Sequence, residues 1–548
     1  MNATTQGSRT DSNSVFFAFT SAVIFLTIGT YVLYFGHPHE DAYILYIYSE
    51  ILSGTGDIAY FQGGEPTEGA TDFLWMILIS VLNLIGINSA LAALLLNSLG
   101  VFLFSYLAIE IGSKHGKSRF ASWSMAIILP LCITSQAAYA GFSVALYSSL
   151  IGLLFLTSII ATGIYVAAIP IIGLILALFR PDGAIIGIIV CITVAIFLHR
   201  DERKIYLAAL MPCMFIGIAY FAWRWSYFGQ FLPLPLIVKG QSDSALPGLT
   251  PNIAWAKANI IIIALGVASI FAREVKIRIA LMTLPVVAYM VAITFAIQSQ
   301  NVAFRFQAPF ATILLLGLSV SLHLLLDKNR IKDATAKSVI STSLLFFSLH
   351  LIAASALQTI SLTRYLTNDD YINFFPYHLS KHVPENSTVA LTEAGRFAYW
   401  LPGRKFDLVG LNTPETAIDG ASVSFLESLD ADLVFIHHAN TIPSLICKTG
   451  EDFCEVSSER FLTITNADNS LSFLDVEDRA TRAAAAATAY LVEYSLEYTL
   501  YAVRYGGSYT HLYAVRHEGE ISLADFLSSL TLSFSSEGQL SYWEMINK

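Results

Sequence analysis

Between Val15 and Leu357 the chain repeats apolar runs of about 16 to 23 residues, parted by short polar stretches. Runs of that length match the hydrocarbon thickness of a bilayer. With no water there to satisfy backbone groups, such a chain is expected to cross the membrane repeatedly as helices. Composition agrees: 13% of the 548 residues are charged, against about 25% in soluble domains. From Ser361 to Lys548 charges return at ordinary spacing. The expected organisation is a polar tail (1–14), a membrane module (15–358) and a soluble domain (361–548). The net charge of −10, with no basic block, argues against a nucleic-acid partner.

Eleven spans are expected, at 15–35, 89–111, 120–139, 143–162, 164–179, 184–199, 205–223, 256–272, 277–297, 306–326 and 338–358. The first is too long for a signal-peptide core and no small-residue cleavage site follows it, so it reads as retained. The stretch Phe73–Ile87, 15 residues interrupted by Asn83, is ambiguous. If it does not span, one side collects fourteen cations: Arg9; Lys114, Lys117 and Arg119; Arg200, Arg203 and Lys204; Arg273, Lys276 and Arg278; Lys328, Arg330, Lys332 and Lys337. The other side then holds five, Arg180, Arg224, Lys239, Lys257 and Arg305. The positive-inside rule therefore lays Phe73–Ile87 along the outer membrane surface. It places the N-terminus in the cytoplasm and everything after Leu357 outside, in a multi-pass protein of the cytoplasmic membrane.

Charge is nearly absent from the spans and gathers in the first outer loop, within 36–88. His37 to Asp72 holds seven carboxylates (Glu40, Asp41, Glu50, Asp57, Glu65, Glu68, Asp72) and no Lys or Arg. Such a one-sided loop suits a site that needs a carboxylate base at the membrane surface; the plainer reading is acidity that keeps the loop outside. Tyr43, Ile44, Ile47, Ile51 and Leu52 recur at helical spacing, predicting a short helix on the bilayer with Glu40 and Asp41 at its N-terminus, where the helix dipole favours negative charge. Adjacent residues there diverge by roughly 100°, so Glu40 and Asp41 are not expected to share one role. Gly54, Gly56, Gly63 and Gly64 make the following segment turn-rich. His37 and His39 read as surface residues, and Arg224, within Trp223-Arg224-Trp225, as part of an interfacial aromatic belt.

Glu40-Asp41-Ala42-Tyr43-Ile44, Gly54-Thr55-Gly56 and Glu68-Gly69-Ala70-Thr71-Asp72-Phe73-Leu74-Trp75 resemble the first outer loop of GT-C glycosyltransferases of the terminal arabinofuranosyltransferase type. Further pieces follow in order: Arg180-Pro181-Asp182-Gly183, Tyr227-Phe228-Gly229 with Leu232-Pro233 and Lys239, Arg305-Phe306 with Pro309, and Glu393-Ala394-Gly395 with Asp407-Leu408-Val409-Gly410-Leu411. The chain departs from the family at Ile47, where Arg is usual, at Ser143, where Glu is usual, and at Leu234, where Asn is usual. Those positions bear on which sugar and acceptor are bound, so mechanism transfers better than sugar identity.

The resemblance implies a GT-C-type polytopic helical protein with about eleven transmembrane helices and an extracytoplasmic C-terminal α/β domain. It implies transfer of a sugar, such as the pentofuranose arabinofuranose, from a polyprenyl-phosphate carrier to a glycan, glycolipid or glycoprotein acceptor, with inversion. Asp41 is the candidate base, and Glu40 the alternative. Arg180, Lys239 and Arg305 are candidates for the donor phosphate, although each could instead snorkel to a lipid headgroup. Glu68, Asp72, Tyr43 and Asp182 are candidate sugar or acceptor contacts. Trp75 could stack on a ring or anchor the interfacial helix. So many acids leave room for a divalent metal, but no ligand spacing requires one and no cofactor is expected. A lipid or solute transporter and a non-catalytic relative of these enzymes stay open as alternatives.

In the soluble part, Val389–Leu391, Phe406–Val409 and Leu433–Ile436 read as short buried strands, with helices or loops across Pro414–Leu429. Ser495–Arg504 and Ser508–Arg516 read as a hairpin, and Ala483–Ala489 as an alanine-rich helix. His437-His438 ends a strand, where neighbours face opposite ways and do not bind one metal together. Cys447 and Cys454 suit a local disulfide, while Cys132, Cys191 and Cys213 lie in apolar runs as packing residues.

Overall fold

A computed structural model describes residues 12–114, 116–241, 245–271, 276–298, 300–326, 334–437, 447, 451–467, 478–505 and 509–548. Arg9, Arg273, Lys328, Arg330, Lys332 and His438 lie outside them. The chain divides into two compact units.

The first unit comprises residues up to Val32, Ala90–Ala219 and Gly248–Leu366. It is helical: α1 (Ser12–Phe35) runs on into the second unit, α2 (Glu40–Thr55) and α3 (Phe73–Leu84) belong to the second, and α4 (Ser89–Ser113) returns. Then follow α5 (Arg119–Leu131), α6 (Ile133–Tyr139), α7 (Val144–Ile160), α8 (Ala168–Phe179), α9 (Pro181–Phe197) and α10 (Arg200–Phe228). After α11 (Leu234–Lys239) in the second unit come α12 (Leu249–Ala258), α13 (Ile260–Phe271), α14 (Lys276–Thr294), α15 (Ala308–Leu326) and α16 (Ala334–Leu366). Every expected span falls on a helix. Among the described residues six helical stretches are long and apolar enough to cross a membrane, α5 with α6 counted as one, and α12 with α13, bent by 77°, would make a seventh. Helices α7 and α9 have 17 residues each, about 25 Å at 1.5 Å per residue, short of a hydrocarbon core of roughly 30 Å. The stretch 120–139 is broken at Cys132, which is extended and follows Pro130, a residue that cannot continue the hydrogen-bond ladder.

The second unit gathers Leu33–Ser89, Tyr220–Pro247 and Thr367–Lys548. Its centre is a six-stranded sheet in the order β2-β1-β3-β6-β5-β4. In chain order the strands are β1 (Thr388–Leu391), β2 (Arg404–Asp407), β3 (Leu433–Ile436), β4 (Phe453–Val456), β5 (Tyr498–Tyr505) and β6 (Tyr509–Arg516). β1 runs parallel to β2 and β3, and the hairpin β5–β6 joins antiparallel. β2 ends two residues earlier than its apolar pattern predicts. The Asp407 carboxylate takes the N–H of Val409 at 2.9 Å and of Asn412 at 3.0 Å, which turns the chain out of the sheet. Gly410 completes the turn at φ 97°, where a Cβ would come 2.6 Å from the Ala417 nitrogen.

The alanine-rich helix is present at Arg479–Glu493, and Ala483, Ala484 and Ala487 pack into the core that one face of the sheet shares. Alanine costs little helix entropy and lets backbones approach closely. Cys447 and Cys454 are joined in a disulfide with their Cα atoms 5.5 Å apart, across the end of β4. Cys132, Cys191 and Cys213 are free and buried.

Candidate active site

The acidic loop folds against the sheet domain within the second unit. Helix α2 is enclosed rather than laid on a surface: Ala42 to Ser49 are all buried. Tyr43 is fully buried against Tyr46, Tyr399 and Tyr542, with ring centroids 5.7, 4.9 and 6.1 Å away. The apolar periodicity that suggested a bilayer-facing helix is used for protein packing, because aromatic partners arrive from residues 399 and 542. Trp75, in α3, and Ile47 are buried too.

His37 and His39 are not surface residues; each is 3% exposed. Burial, assisted by the Arg396 charge, pulls His37 down to about 3, so its ring is neutral. His39 caps α2, its Nδ1 accepting the Asp41 N–H at 3.2 Å. Glu40 and Asp41 come next, both half-buried. At the first turn the two carboxyls are close enough to interact directly. Burial, then the neighbouring Asp41 and Glu393 charges, push Glu40 well above the usual carboxylate range. The other Glu40 contact is to backbone: Oε1 accepts the Gly395 N–H at 2.7 Å. The chain passes so close that a Cβ on Gly395 would lie 2.0 Å from the Glu40 carbonyl oxygen. One ligand atom each from His39, Glu40 and Asp41 lie within 4.8 Å of one another, an arrangement that could also hold a divalent cation.

Behind the acid pair stand Glu393, 5% exposed, and Arg396, at the start of the short helix Arg396–Trp400. Burial raises Glu393, with Arg396 working against the shift. Burial disfavours the Arg396 charge, but Glu393, Tyr43, Tyr505 and Glu40 together outweigh it. Arg396 was not expected. Its only signal was a cation directly after Glu393-Ala394-Gly395 in the sequence. His437 lies 3.6 Å from Glu393.

The remaining acids of the loop are structural to different degrees. Glu68 forms a two-pronged pair with Arg224: Nε to Oε1 at 2.7 Å is a well-aligned hydrogen bond, and Nη2 sits 2.6 Å from Oε2 off the ideal line. Arg224 is therefore 4% exposed and does not belong to an aromatic belt, although Trp223 and Trp225 beside it are exposed. Arg224 Nη1 also donates to the Phe231 carbonyl at 2.9 Å, and Leu234 N–H to the Glu68 carbonyl at 3.3 Å. Leu234 is buried, and Lys239 ends the α11 helix that it begins, half-buried. Asp72 precedes α3 and is 7% exposed. Glu50 accepts from Ser89 at 2.7 Å and Tyr399 at 2.8 Å. At Gly69, whose N–H donates to the Tyr48 hydroxyl at 3.1 Å, a Cβ would meet Asn412 Oδ1 at 1.9 Å. Asn412 in turn is held by Asp407.

The first unit brings Arg180, Asp182 and Arg305 together around the start of α7. Arg180 Nε donates to Asp182 Oδ1 at 2.9 Å, its Nη1 reaches Ser143 Oγ at 3.5 Å, and its Cζ lies 5.0 Å from the Tyr147 ring centre. The Tyr289 hydroxyl donates to Asp182 Oδ2 at 2.9 Å and to the Phe306 carbonyl at 2.8 Å. Arg305, 8% exposed, stacks 3.8 Å over Phe142, one residue before Ser143. Two guanidiniums thus flank one helix N-terminus, an arrangement with the charge and donors to receive an anion.

A family model described as a domain of unknown function (DUF8728) matches residues 373–501, within the second unit. No curated protein matches the sequence. Among solved structures, ArnT from Cupriavidus metallidurans in the apo state superposes with a TM-score of 0.50 at 12% identity, over 76% of this chain and 91% of that one. The same protein bound to undecaprenyl phosphate gives 0.51 at 11% identity, over 76% and 92%. Arabinosyltransferase EmbB from Mycobacterium smegmatis is a looser match, with a TM-score of 0.38 at 10% identity over 63% of this chain and 40% of that one. The chain has a GT-C fold.

Proposed function

We propose that the protein is an inverting glycosyltransferase that moves a sugar from a polyprenyl-phosphate carrier to a glycan, glycolipid or glycoprotein acceptor outside the cytoplasm. Two observations support the reading: the fold is similar to that of ArnT, a protein captured with undecaprenyl phosphate, and the loop after α1 leads into an acid pair, Glu40 and Asp41. The Glu40–Asp41 pair is the observation that carries it. Burial and the charges beside it push Glu40 toward its neutral form, which suits two acids that take different parts, with Asp41 proposed as the one that accepts a proton.

An acceptor hydroxyl is a weak nucleophile. Asp41 removes its proton as the oxygen bonds to the anomeric carbon, while the bond from that carbon to the phosphate oxygen breaks on the opposite face. The electron pair leaves with the polyprenyl phosphate, and the configuration inverts. Arg180, Arg305 and Lys239 are assigned to that phosphate on charge, with guanidinium suited to two-pronged binding. Asp182 orients Arg180, and Asp72 remains a candidate for sugar hydroxyls. The sequence motifs favour a pentofuranose such as arabinofuranose, against which Ile47, Ser143 and Leu234 are the departures. The module is proposed to sit in the cytoplasmic membrane with the N-terminus inside and 361–548 outside.

The test is direct. Purified protein is incubated with a panel of radiolabelled polyprenyl-phosphate sugars and an envelope-glycan acceptor, and the products are resolved with their anomeric configuration. Labelled acceptor of inverted configuration, released together with free carrier, is expected from one donor. Retained configuration would remove the single-displacement mechanism, and no transfer from any donor would remove the enzyme reading.

A further inference from the structure

In the first unit, four buried or half-buried amides converge below the turn that delivers Arg305. Asn252 sits on α12 and Gln298 follows α14; Asn301 and Gln307 bracket the 3-10 turn Val302–Gln307 that leads into α15. Gln307 Nε2 donates to Asn252 Oδ1 and Gln298 Oε1, both at 2.8 Å, and Gln307 Oε1 accepts from Asn301 Nδ2 at 2.9 Å. Gln298 Nε2 donates to Asn252 Oδ1 at 3.2 Å and to the Ile293 carbonyl at 2.9 Å. Asn252 Nδ2 donates to Thr294 at 3.0 Å, and Asn301 Oδ1 accepts the Phe306 N–H at 3.2 Å. Gly248 leaves the space this needs: a Cβ there would lie 2.6 Å from Gln298 Nε2.

The segment they hold is under strain. Gln300, Ala303 and Phe304 adopt left-handed conformations at φ 55°, 49° and 56°, a region that costs non-glycine residues energy and persists only where surroundings enforce it. A set of buried amides is itself a costly way to fill a core, since apolar side chains of the same volume need no partners. Both costs are met at one place, directly beside Arg305, which stacks 3.8 Å over Phe142. The Phe142 turn is fixed in its own right: Asn97 Nδ2 donates to its carbonyl at 2.9 Å, and Asn97 Oδ1 accepts the Ala145 N–H at 3.2 Å.

We infer that Asn252, Gln298, Asn301 and Gln307 are positioning residues, an amide clamp that enforces the left-handed turn and thereby sets Arg305 for the carrier phosphate. The inference rests on the assignment of Arg305 to that phosphate. It adds that the arginine's grip depends on four neutral side chains that touch no substrate.

The experiment is a double-mutant cycle on the full-length protein in nanodiscs, read as the Kd for undecaprenyl phosphate without sugar, with thermal melting as a control. Gln307→Leu is expected to weaken carrier binding roughly tenfold when Arg305 is present, and less than about twofold on an Arg305→Ala background, because contacting residues that act as one unit are not additive. With sugar-loaded carrier the change should fall on KM rather than kcat. If Gln307→Leu does not fold, Asn301→Ala, which removes the acceptor of the Phe306 N–H, replaces it in the same cycle. Equal losses on both backgrounds, or a lower melting temperature with unchanged Kd, would show the amides to be structural only and overturn the clamp. If Arg305→Ala alone leaves the Kd unchanged, the phosphate assignment of Arg305 fails first, and the clamp's role with it.

Discussion

Charged groups in the second unit are drawn inside and paired, as at Glu68 with Arg224, at Glu50 between Ser89 and Tyr399, and at Asp407 under its turn. In the first unit Arg180 and Arg305 stand at helix ends against the rings of Tyr147 and Phe142, while the helices between carry almost no charge. The contrast comes from the backbone. Turns such as 407–412 and the 393–395 segment have N–H groups to offer a buried carboxylate, whereas helix interiors use theirs on their own carbonyls and leave donors only at N-termini. A unit made of loops and a mixed sheet can therefore tune acids. One made of helices can only place cations and dipoles at its ends.

On the proposed mechanism turnover depends on Asp41 and carrier affinity on Arg180, Arg305 and Lys239, and the largest effect is expected at Asp41. Asp41→Asn keeps shape but cannot take a proton, so single-turnover rates should fall by about 10²–10⁴ with carrier Kd unchanged. A folded variant with near-normal turnover would move the base to Glu40. Next comes the buried pair. Arg224→Met strands the Glu68 carboxylate and should cost about 3–5 kcal/mol in denaturant unfolding, while Glu68→Met with Arg224→Met should recover most of it. A double variant no better than the single would mean the pair does not hold the loop.

Arg180→Ala should show the opposite signature to Asp41→Asn. Losing a charged donor costs carrier binding roughly 10- to 100-fold in Kd. Should it lower turnover alone, the assignment of Arg180 to the carrier phosphate fails. The smallest effect is a pH slope. Burial pulls Lys405 down from 10.5 to about 8, so the unfolded chain binds its proton first as pH falls. Stability should then decline between about pH 10.5 and 8 and level off below. Lys405→Met should flatten that slope in melting curves, and an unaltered slope would assign it to another group.

Where the fold was legible, the signal was local. Apolar runs marked the long helices, and alternation around Gly506-Gly507 marked the β5–β6 hairpin. The strand β2 was displaced by two residues because Asp407 captures the following N–H groups, and hydrophobic pattern carries no record of that capture. The acid pair could be named from sequence, but not the upward shift at Glu40, since Glu393 and Arg396 come from some 350 positions away. Arg224 was misjudged for the same reason: its partner Glu68 lies 156 residues earlier, and the flanking tryptophans pointed to lipid.

Sequence by itself determined the run of apolar helices, the composition break near residue 360, and the concentration of carboxylates between His37 and Asp72. These follow from solvent partitioning, which acts residue by residue. Only the tertiary structure decided that α2 is enclosed by tyrosines, that His37 is neutral, that Glu40 is pushed above the usual carboxylate range, and that four amides brace a strained turn before Arg305. Each depends on desolvation and on hydrogen-bond partners remote in the chain, and a carboxylate, an imidazole or an amide has no fixed character until its neighbours are in place.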